Sequence, residues 1–585
     1  MRYLRLLAVG TASLLFVAAC NKTGDSPEVA VEKTANTLFD YVPADTPYLA
    51  GNLQPTPDEV IDVFLQRFQP ILESVQNELG KTRQQLEEKA AAHDDDDLRL
   101  ANAVLQEFDG KLNRQGMESL GFDLRSHKVV YGMGVFPVIR IGLSDATALR
   151  ATIQRVLDRA KINSSELEYQ GVSYWRLAES DSADAPIGIY ITILPDHLAV
   201  SIFPPVAEAQ ILPAFLGLEM PSDSDAASRL AELNAEHGYS SFGSGILDLD
   251  RMVEEFISPD SIIAQIAAAN GAFDPTNMTA ECKAEIRGIV SNAPRMTVGV
   301  QELTASAIAI QYRIETKTTL AQRLAGLVAD IPAANPLSKR ILEFSFGLRL
   351  GAVRDFLREK AAAIMENPYQ CEQLQAINQG AAEAYTQLNQ PMPPLVNNLR
   401  GLRLSLSELT ESESMPVSGK GLIAVHVDKP EMFVGMAQMF VPDLSELALA
   451  AGEPPVQLPS TLIPIPNIVA FAALSDEAIG LSIGEGEQDS LLEFLNEEAG
   501  PKGTFISFGY DMTAYIDYAQ KLGNRYESAA DDSSGYDSEH EAVYQSMEDI
   551  STSVQQAIKA FSDRSYTSFK FTPEGFETDT RVTFK

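Results

Sequence analysis

Ser241-Phe242-Gly243, Ser345-Phe346-Gly347 and Ser507-Phe508-Gly509 are three occurrences of one tripeptide. Each stands beside a short apolar run and ahead of an amphipathic helix pattern: Asp250 to Phe256, Val353 to Arg358 and Met512 to Tyr518. A divergent fourth copy reads Tyr48-Leu49-Ala50-Gly51, followed by the helix pattern Pro57 to Leu65. Downstream of each copy comes a pair of alternating segments. These are Lys128 to Leu143 in the first copy, and Arg295 to Val300 with Ala307 to Ile314 in the second. The third has Leu402 to Leu406 with Leu422 to Val427, and the fourth Thr567 to Phe571 with Phe576 to Phe584. The two-residue period of Phe576, Thr578, Thr580, Val582 and Phe584 predicts strands with one buried face. Copies one to three then enter a predicted helix: Ala146 to Leu157, Thr319 to Val328, and Glu431 to Phe440.

A longer period lies above this one. Ile189 to Phe203 predicts a hairpin turning at Leu194 to His197, and Ile468 to Ile483 another turning at Leu474 to Glu477. A helix pattern follows each, at Ala207 to Leu216 and at Asp489 to Asn496. The expectation is an α+β protein built by tandem duplication of a two-copy helix and antiparallel-sheet unit, giving four related copies in two lobes. Residues 37–330 form the first lobe and 331–585 the second, with the boundary at Asp330 to Pro336, where Pro332 and Pro336 punctuate the chain.

The chain has 585 residues, 45 Lys and Arg against 81 Asp and Glu, and a formal net charge of −36. Hydrophobic residues make up 45%, too rich for a disordered chain. The acidity excludes nucleic acid as a partner, because gripping phosphates needs a basic surface. Much of the acid sits in expected surface loops at Asp94 to Asp97, Asp181 to Asp184, Asp223 to Asp225 and Glu527 to Glu541. None has the alternating ligands and central glycine of a calcium loop.

Arg2 and Arg5 precede an apolar stretch from Leu6 to Val17 that is too short to span a bilayer, and it ends in Val17-Ala18-Ala19-Cys20. This resembles the lipobox of bacterial lipoproteins. The resemblance implies removal of residues 1–19 as a signal peptide, thioether lipidation of Cys20 and N-acylation by a palmitate-type chain. Several acyl chains on one residue anchor stably. Residues 20–36 are then a lipidated tether. Asn21, where an Asp would signal inner-membrane retention, implies the outer membrane of a Gram-negative envelope, facing the periplasm.

Once Cys20 is lipidated, Cys282 and Cys371 remain. An exported compartment permits disulfides, the count is even, and the two lie at comparable places in copies two and three, so a Cys282–Cys371 disulfide between the lobes is expected. No Cys-x-x-Cys, adjacent His or basic cluster marks either as catalytic. His93, His127, His197, His237, His426 and His540 show no zinc spacing. His237 near Ser240 and Ser241 lacks the sharp elbow of a hydrolase nucleophile. Asp248, Asp250 and Asp511 are read as helix caps. No catalytic residue, metal site or cofactor is assigned.

Tyr41-Val42-Pro43-Ala44-Asp45-Thr46, ahead of the strand at Tyr48, resembles the opening of a widespread group of uncharacterised exported bacterial proteins that begin with a Pro-Ala-Asp-Thr element. The resemblance implies export and adds no activity. The leading expectation is a non-enzymatic outer-membrane lipoprotein, an envelope structural or protein-interaction module that reaches the membrane through Cys20 and has an envelope protein partner. The alternative is a periplasmic carrier or sensor of a hydrophobic ligand, in which apolar strands at Val129 to Ile141 and Ile187 to Ile202 would enclose a cavity.

Overall fold

In a computed structural model of the chain, alternating apolar and polar residues build 19 strands among the described residues. The structure describes residues 37–67, 96–161, 166–178, 187–269, 274–412, 415–441, 443–444, 447–463, 468–518 and 558–585, with 69, 73, 520, 555 and 556. In the first half, the strands are β1 (Tyr48–Gly51), β2 (Lys128–Met133), β3 (Phe136–Gly142), β4 (Leu167–Tyr169), β5 (Val172–Ala178), β6 (Gly188–Ile193), β7 (His197–Phe203), β8 (Ser244–Asp248), β9 (Arg295–Thr304) and β10 (Ala307–Glu315). The second half has β11 (Leu342–Gly347), β12 (Leu399–Ser412), β13 (Met415–Val427), β14 (Val456–Gln457), β15 (Ala470–Leu474), β16 (Ala478–Ile483), β17 (Thr504–Asp511), β18 (Ser562–Thr572) and β19 (Gly575–Phe584).

The expected α+β character is present, and every paired strand is antiparallel. The hairpins expected at 128–143, 189–203, 295–314, 402–427, 468–483 and 567–584 all form. The two stretches expected as lobes do not carry separate sheets, however. β10 pairs with β19 over nine residues and joins them. Outward from this junction on one side the order is β10, β9, β8, β1, β2, β3, β7, β6, β5. On the other side it is β19, β18, β17, β11, β12, β13, β16, β15, β14. Position by position, the strands on the two sides follow the same order along the chain.

One expectation needs correcting. Ser241-Phe242-Gly243 lies in the turn before β8, whereas Ser345 and Ser507 lie inside β11 and β17. The residue of β8 that occupies their row is Ser244, which pairs with Gly299 and Gly51. The tripeptide at 241–243 is displaced by three residues because the strand is set by its helix. Asp248 ends β8 and its carboxylate accepts from Arg251 N at 3.0 Å, and Asp511 ends β17 and accepts from Ala514 N at 2.8 Å.

Paired residues share a face, so a single row runs across the sheet: Ala199, Arg140, Val129, Gly51, Ser244, Gly299, Gln311, Asp579, Ser568, Ser507, Ser345, Arg403, Ala424 and Gly480. This face carries the small and polar residues near the junction. In the first half it is covered by residues 38–42 and by the helices Glu208–Phe215 and Ala226–His237, which pack on Val129, Tyr131, Val138, Tyr190 and Phe203. In the second half the cover is thinner. Ser345 Oγ donates to Pro332 O at 2.7 Å, Ala334 N donates to Ser507 Oγ at 2.8 Å, and the short helix Leu491–Leu495 seats on Leu422, Ala424 and Ala478. The leucines lie directly against Gly480, where a Cβ would stand 2.8 Å from the Leu495 methyls and force that side chain to shift.

The Pro-Ala-Asp-Thr element forms the turn into β1. Thr46 N donates to Pro43 O at 3.1 Å, and its buried hydroxyl donates to Gly132 O at 2.8 Å. That locks the turn to β2.

Candidate functional site: an apolar sheet face

The opposite face of the sheet carries an apolar row: Trp175, Ile191, Val200, Ile139, Val130, Ala50, Gly245, Val298, Tyr312, Thr578, Phe569, Ile506, Phe346, Leu402, Val425 and Ile479. In the first half helices cover parts of this face, while Tyr312, Met296 and Ile202 remain 50%, 36% and 36% exposed and Val130, Ile139 and Val298 are half-buried. The helix Ala146–Ala160 presses Leu149 and Leu157 onto Trp175, Ile193 and Leu198, with Ile191 and Val200 packed against them. Val60 and Phe64 from the helix at 58–67 seal Val300, Leu303, Ile308 and Ile310. The apolar strands expected to enclose a cavity at Val129 to Ile141 and Ile187 to Ile202 are packed core instead: Val129, Tyr131, Val138 and Tyr190 are each 0% exposed.

Phe344, Phe346, Leu404, Ile423, Val425, Ile479, Leu481, Ile506 and Phe508 are each half-buried, and Leu402 is 41% exposed. Among the described residues none of these belongs to a buried core cluster. The helix that follows β13, Pro430–Phe440, is rich in methionine and buries only Pro430 fully, and it leaves Met439 79% and Phe440 85% exposed. Its counterpart after β3 is the sealing helix Ala146–Ala160. Toward the junction, Phe505, Phe569, Phe571 and Phe576 pack ring to ring, Phe505 on Phe571 with centroids 4.5 Å apart. The polarity of these strands is thus inverted from the usual rule. Ser345, Ser405, Ser507 and Ser568 are buried on one side, while phenylalanine and leucine line the less covered side.

The buried charges are engaged in holding the fold. Arg140 is 0% exposed. Its Nε donates to Tyr131 Oη at 3.1 Å, Nη1 to His197 Nε2 at 2.8 Å and Nη2 to Phe215 O at 2.9 Å, and the Tyr41 ring lies 3.9 Å from its carbon. His197 therefore accepts through Nε2 and donates through Nδ1 to Asp196 at 2.7 Å, the neutral tautomer. Burial, and next the Arg140 charge, push its pKa down. Arg403 repeats the device. It donates to Phe494 O at 2.7 Å, pairs with Glu497 and lies 4.1 Å from the Phe494 ring. Each arginine thus terminates a helix by taking a final carbonyl. Beside Arg403, burial and then the arginine charges lower His426 to about 4. Glu107, whose side chain is 1% exposed, takes Lys111 at 2.9 Å, Arg155 at 2.5 Å and Arg159 at 2.6 Å. Burial raises its pKa, but Arg155 and Lys111 outweigh burial and hold it at about 2.

Cys282 and Cys371 are joined in a disulfide, with Cα atoms 4.5 Å apart, linking the helix Ala280–Val290 of the first half to the turn after the helix Leu350–Glu366 of the second. Glu285 steadies the joint by accepting from Gln370 N at 2.8 Å and Cys371 N at 2.9 Å. Cys20, His93 and His540, and the acidic loops at Asp181 to Asp184 and Glu527 to Glu541, lie outside the described residues. Among the described residues no three His, Cys, Asp or Glu side chains converge as a metal site, and no helix is long and apolar enough to cross a membrane. A shallow cleft of about 380 Å³ lies between Leu65, Gln69, Leu112 and Arg114.

The sequence reading missed the inverted face and both structural arginines. Signals were present: an Arg inside Val138-Ile139-Arg140-Ile141 and inside Leu402-Arg403-Leu404, and the alternation of Leu342, Phe344 and Phe346 in β11. Compared with protein-family models, with curated proteins and with solved structures, the chain matches none.

Proposed function

We propose that the protein is a non-enzymatic lipoprotein, held to the periplasmic face of the outer membrane through Cys20, that captures an apolar ligand on the second-half sheet face. One observation carries this: the apolar face through Phe346, Leu402 and Val425 is only partly covered and belongs to no packed core among the described residues, with Leu402 41% exposed. Apolar surface left partly wet is unfavourable at about 25 cal/mol per Å². Its persistence beside a methionine-rich helix, whose side chains re-pack easily, fits a ligand site. The engagement of Glu107, Arg140 and Arg403 in structural bonds supports a non-enzymatic reading.

The test is binding of an environment-sensitive apolar dye such as N-phenyl-1-naphthylamine to the chain from residue 21 onward. Saturable binding lost in Leu404→Asp supports the reading, and its absence in the parent refutes it. A second reading, an envelope protein-interaction module, is favoured by Met439 and Phe440, which stand in solvent. Photo-crosslinkers at positions 404 and 440 in intact cells separate the two by yielding a lipid or a protein adduct. Lipidation is tested by labelled palmitate, with Cys20→Ser as control.

We further propose that the halves arose by tandem duplication, and each half from two copies. The matching strand order on either side of the β10–β19 pair supports this.

A further inference from the structure

We infer that residues 37–42 are an acid-released strap: protonation of His197 takes away its bond to Arg140 and frees Tyr41, with the segment that Tyr41 pins, from the sheet. Released, these six residues extend over roughly 20 Å and let the body stand that much further from whatever holds residues 1–36. Release of the strap depends on neither the apolar face nor a membrane anchor.

The strap lies ahead of β1, over the polar face, and takes no part in the strand ladder. Leu38, Phe39 and Val42 reach into the core, and Ser224 Oγ donates to Phe39 O at 2.6 Å. Thr46, bonded to Gly132, is the fixed point behind it. Tyr41 lies against the buried charge. Its ring stands 3.9 Å from the Arg140 carbon and meets the His197 ring edge-on, with centroids 4.9 Å apart. Gly217 leaves it room, since a Cβ there would stand 2.7 Å from the Tyr41 ring.

This arrangement suits a neutral imidazole. His197 is 0% exposed, and its Nε2 must accept, because the guanidinium 2.8 Å away can only donate. A proton on Nε2 removes that bond and sets two cations against each other out of water. The groups facing the ring are Arg140 from β3, Asp196 from its own turn, which accepts from Nδ1, and Tyr41 from the strap. Tyr131 of β2 and Asp40 lie one contact further out, and the helix Glu208–Phe215 offers the Phe215 carbonyl to Arg140. Asp196 favours the proton, but burial and the Arg140 charge outweigh it and hold the ring below its ordinary 6.5. Once the strap lifts and water enters, the ring returns toward 6.5, so opening gains as pH falls below that value. The strap is the part that yields. β3 and β7 are joined by their ladder, and the strap has no ladder to lose.

The second half supplies an internal control. His426 pairs with Ala478 where Gly142 pairs with His197, the histidine standing on the other strand of the equivalent pair. There Arg403 rests on Phe494 of a helix rather than on a strap, and His426 Nε2 takes no hydrogen bond among the described residues.

The test is amide hydrogen exchange at residues 38–46, read by mass spectrometry on the chain from residue 21 onward and corrected for the intrinsic effect of pH. From pH 7 to pH 5 protection there should fall about tenfold or more, while β12 and β13 keep theirs. His197→Gln, which accepts from Arg140 and takes up no proton, should hold the strap closed at both values. His426→Gln should release it as the parent does. Circular dichroism checks that both variants are folded. Unchanged protection in the parent, an equal fall in His197→Gln, or a fall shared by β12 and β13 overturns the inference. The Nε2 nitrogen resonance of His197 in the parent gives a reading that needs no variant: it should titrate with the midpoint of strap exchange, and a separate midpoint also overturns the inference.

Discussion

Gln311 and Asp579 oppose each other at the centre of the β10–β19 pair, with Gln311 Nε2 donating to Asp579 Oδ1 at 2.8 Å. They are also equivalent positions. The residue opening β10 after its hairpin is Ala307 and the one opening β19 is Gly575, an offset of 575 − 307 = 268, and 311 + 268 = 579. The register is therefore symmetric about this one pair: Ala307 meets Thr583 and Glu315 meets Gly575.

A fragment of residues 37–330 has β10 as a free edge whose register suits a second copy of itself. Such a fragment is expected to sediment as a dimer, with Gln311 facing Gln311. Gln311→Lys puts two like charges opposite each other and should return it to monomer. Identical, monomeric sedimentation of both fragments contradicts the symmetry argument.

The disulfide spans 89 residues. Closing a loop of that size restricts the unfolded chain by about 4–5 kcal/mol in the chain-entropy model. Cys282→Ser with Cys371→Ser should lower the denaturation midpoint by a matching amount, and a reductant should do the same to the parent while leaving the variant unmoved.

His426 is held neutral in the fold, down at about 4 from an ordinary 6.5. Its stabilising contribution is complete above pH 6.5 and is lost as pH falls toward 4, because there the unfolded chain binds a proton that the folded chain refuses. Between pH 7 and 4.5 the parent should lose about 2–3 kcal/mol more stability than His426→Gln, read from urea midpoints. Equal losses in both proteins would place the acid sensitivity elsewhere.

Glu107 has the opposite charge and the same direction. Its carboxyl sits at about 2 against an ordinary 4.5, so its contribution is complete above pH 4.5 and fades as pH falls through 2. Glu107→Gln should cost about 2 kcal/mol at pH 7, a figure discounted because Arg155 and Arg159 are more than two-fifths exposed. The gap between parent and variant should narrow in thermal melts near pH 2.5.

Local pattern made the hairpins legible. Phe576 to Phe584 alternates, and β19 forms there. The recurring tripeptide pointed to a repeated unit but misplaced it at 241–243, since the same letters three residues early fall in a turn and the cap at Asp248 decides where β8 ends. Pairing between β10 and β19 left no local mark, because register between strands more than 250 residues apart is settled by packing and hydrogen bonds across the sheet. The inverted face was hidden for a related reason. Alternation tells that Ser345 and Phe346 point oppositely, while which of them is covered depends on residues 332–334 arriving over the serine.

The placing of β17, β18 and β19 between β10 and β11 has a consequence for biogenesis. These three strands follow β11 to β16 in the chain, yet they are the ones that fill the gap in the middle of the sheet. Until they arrive, two strand edges stand open, and loop closure this long is slow. A chain truncated before β17 would lack the centre of its sheet rather than its tip, and would present both β10 and β11 as open edges to proteases.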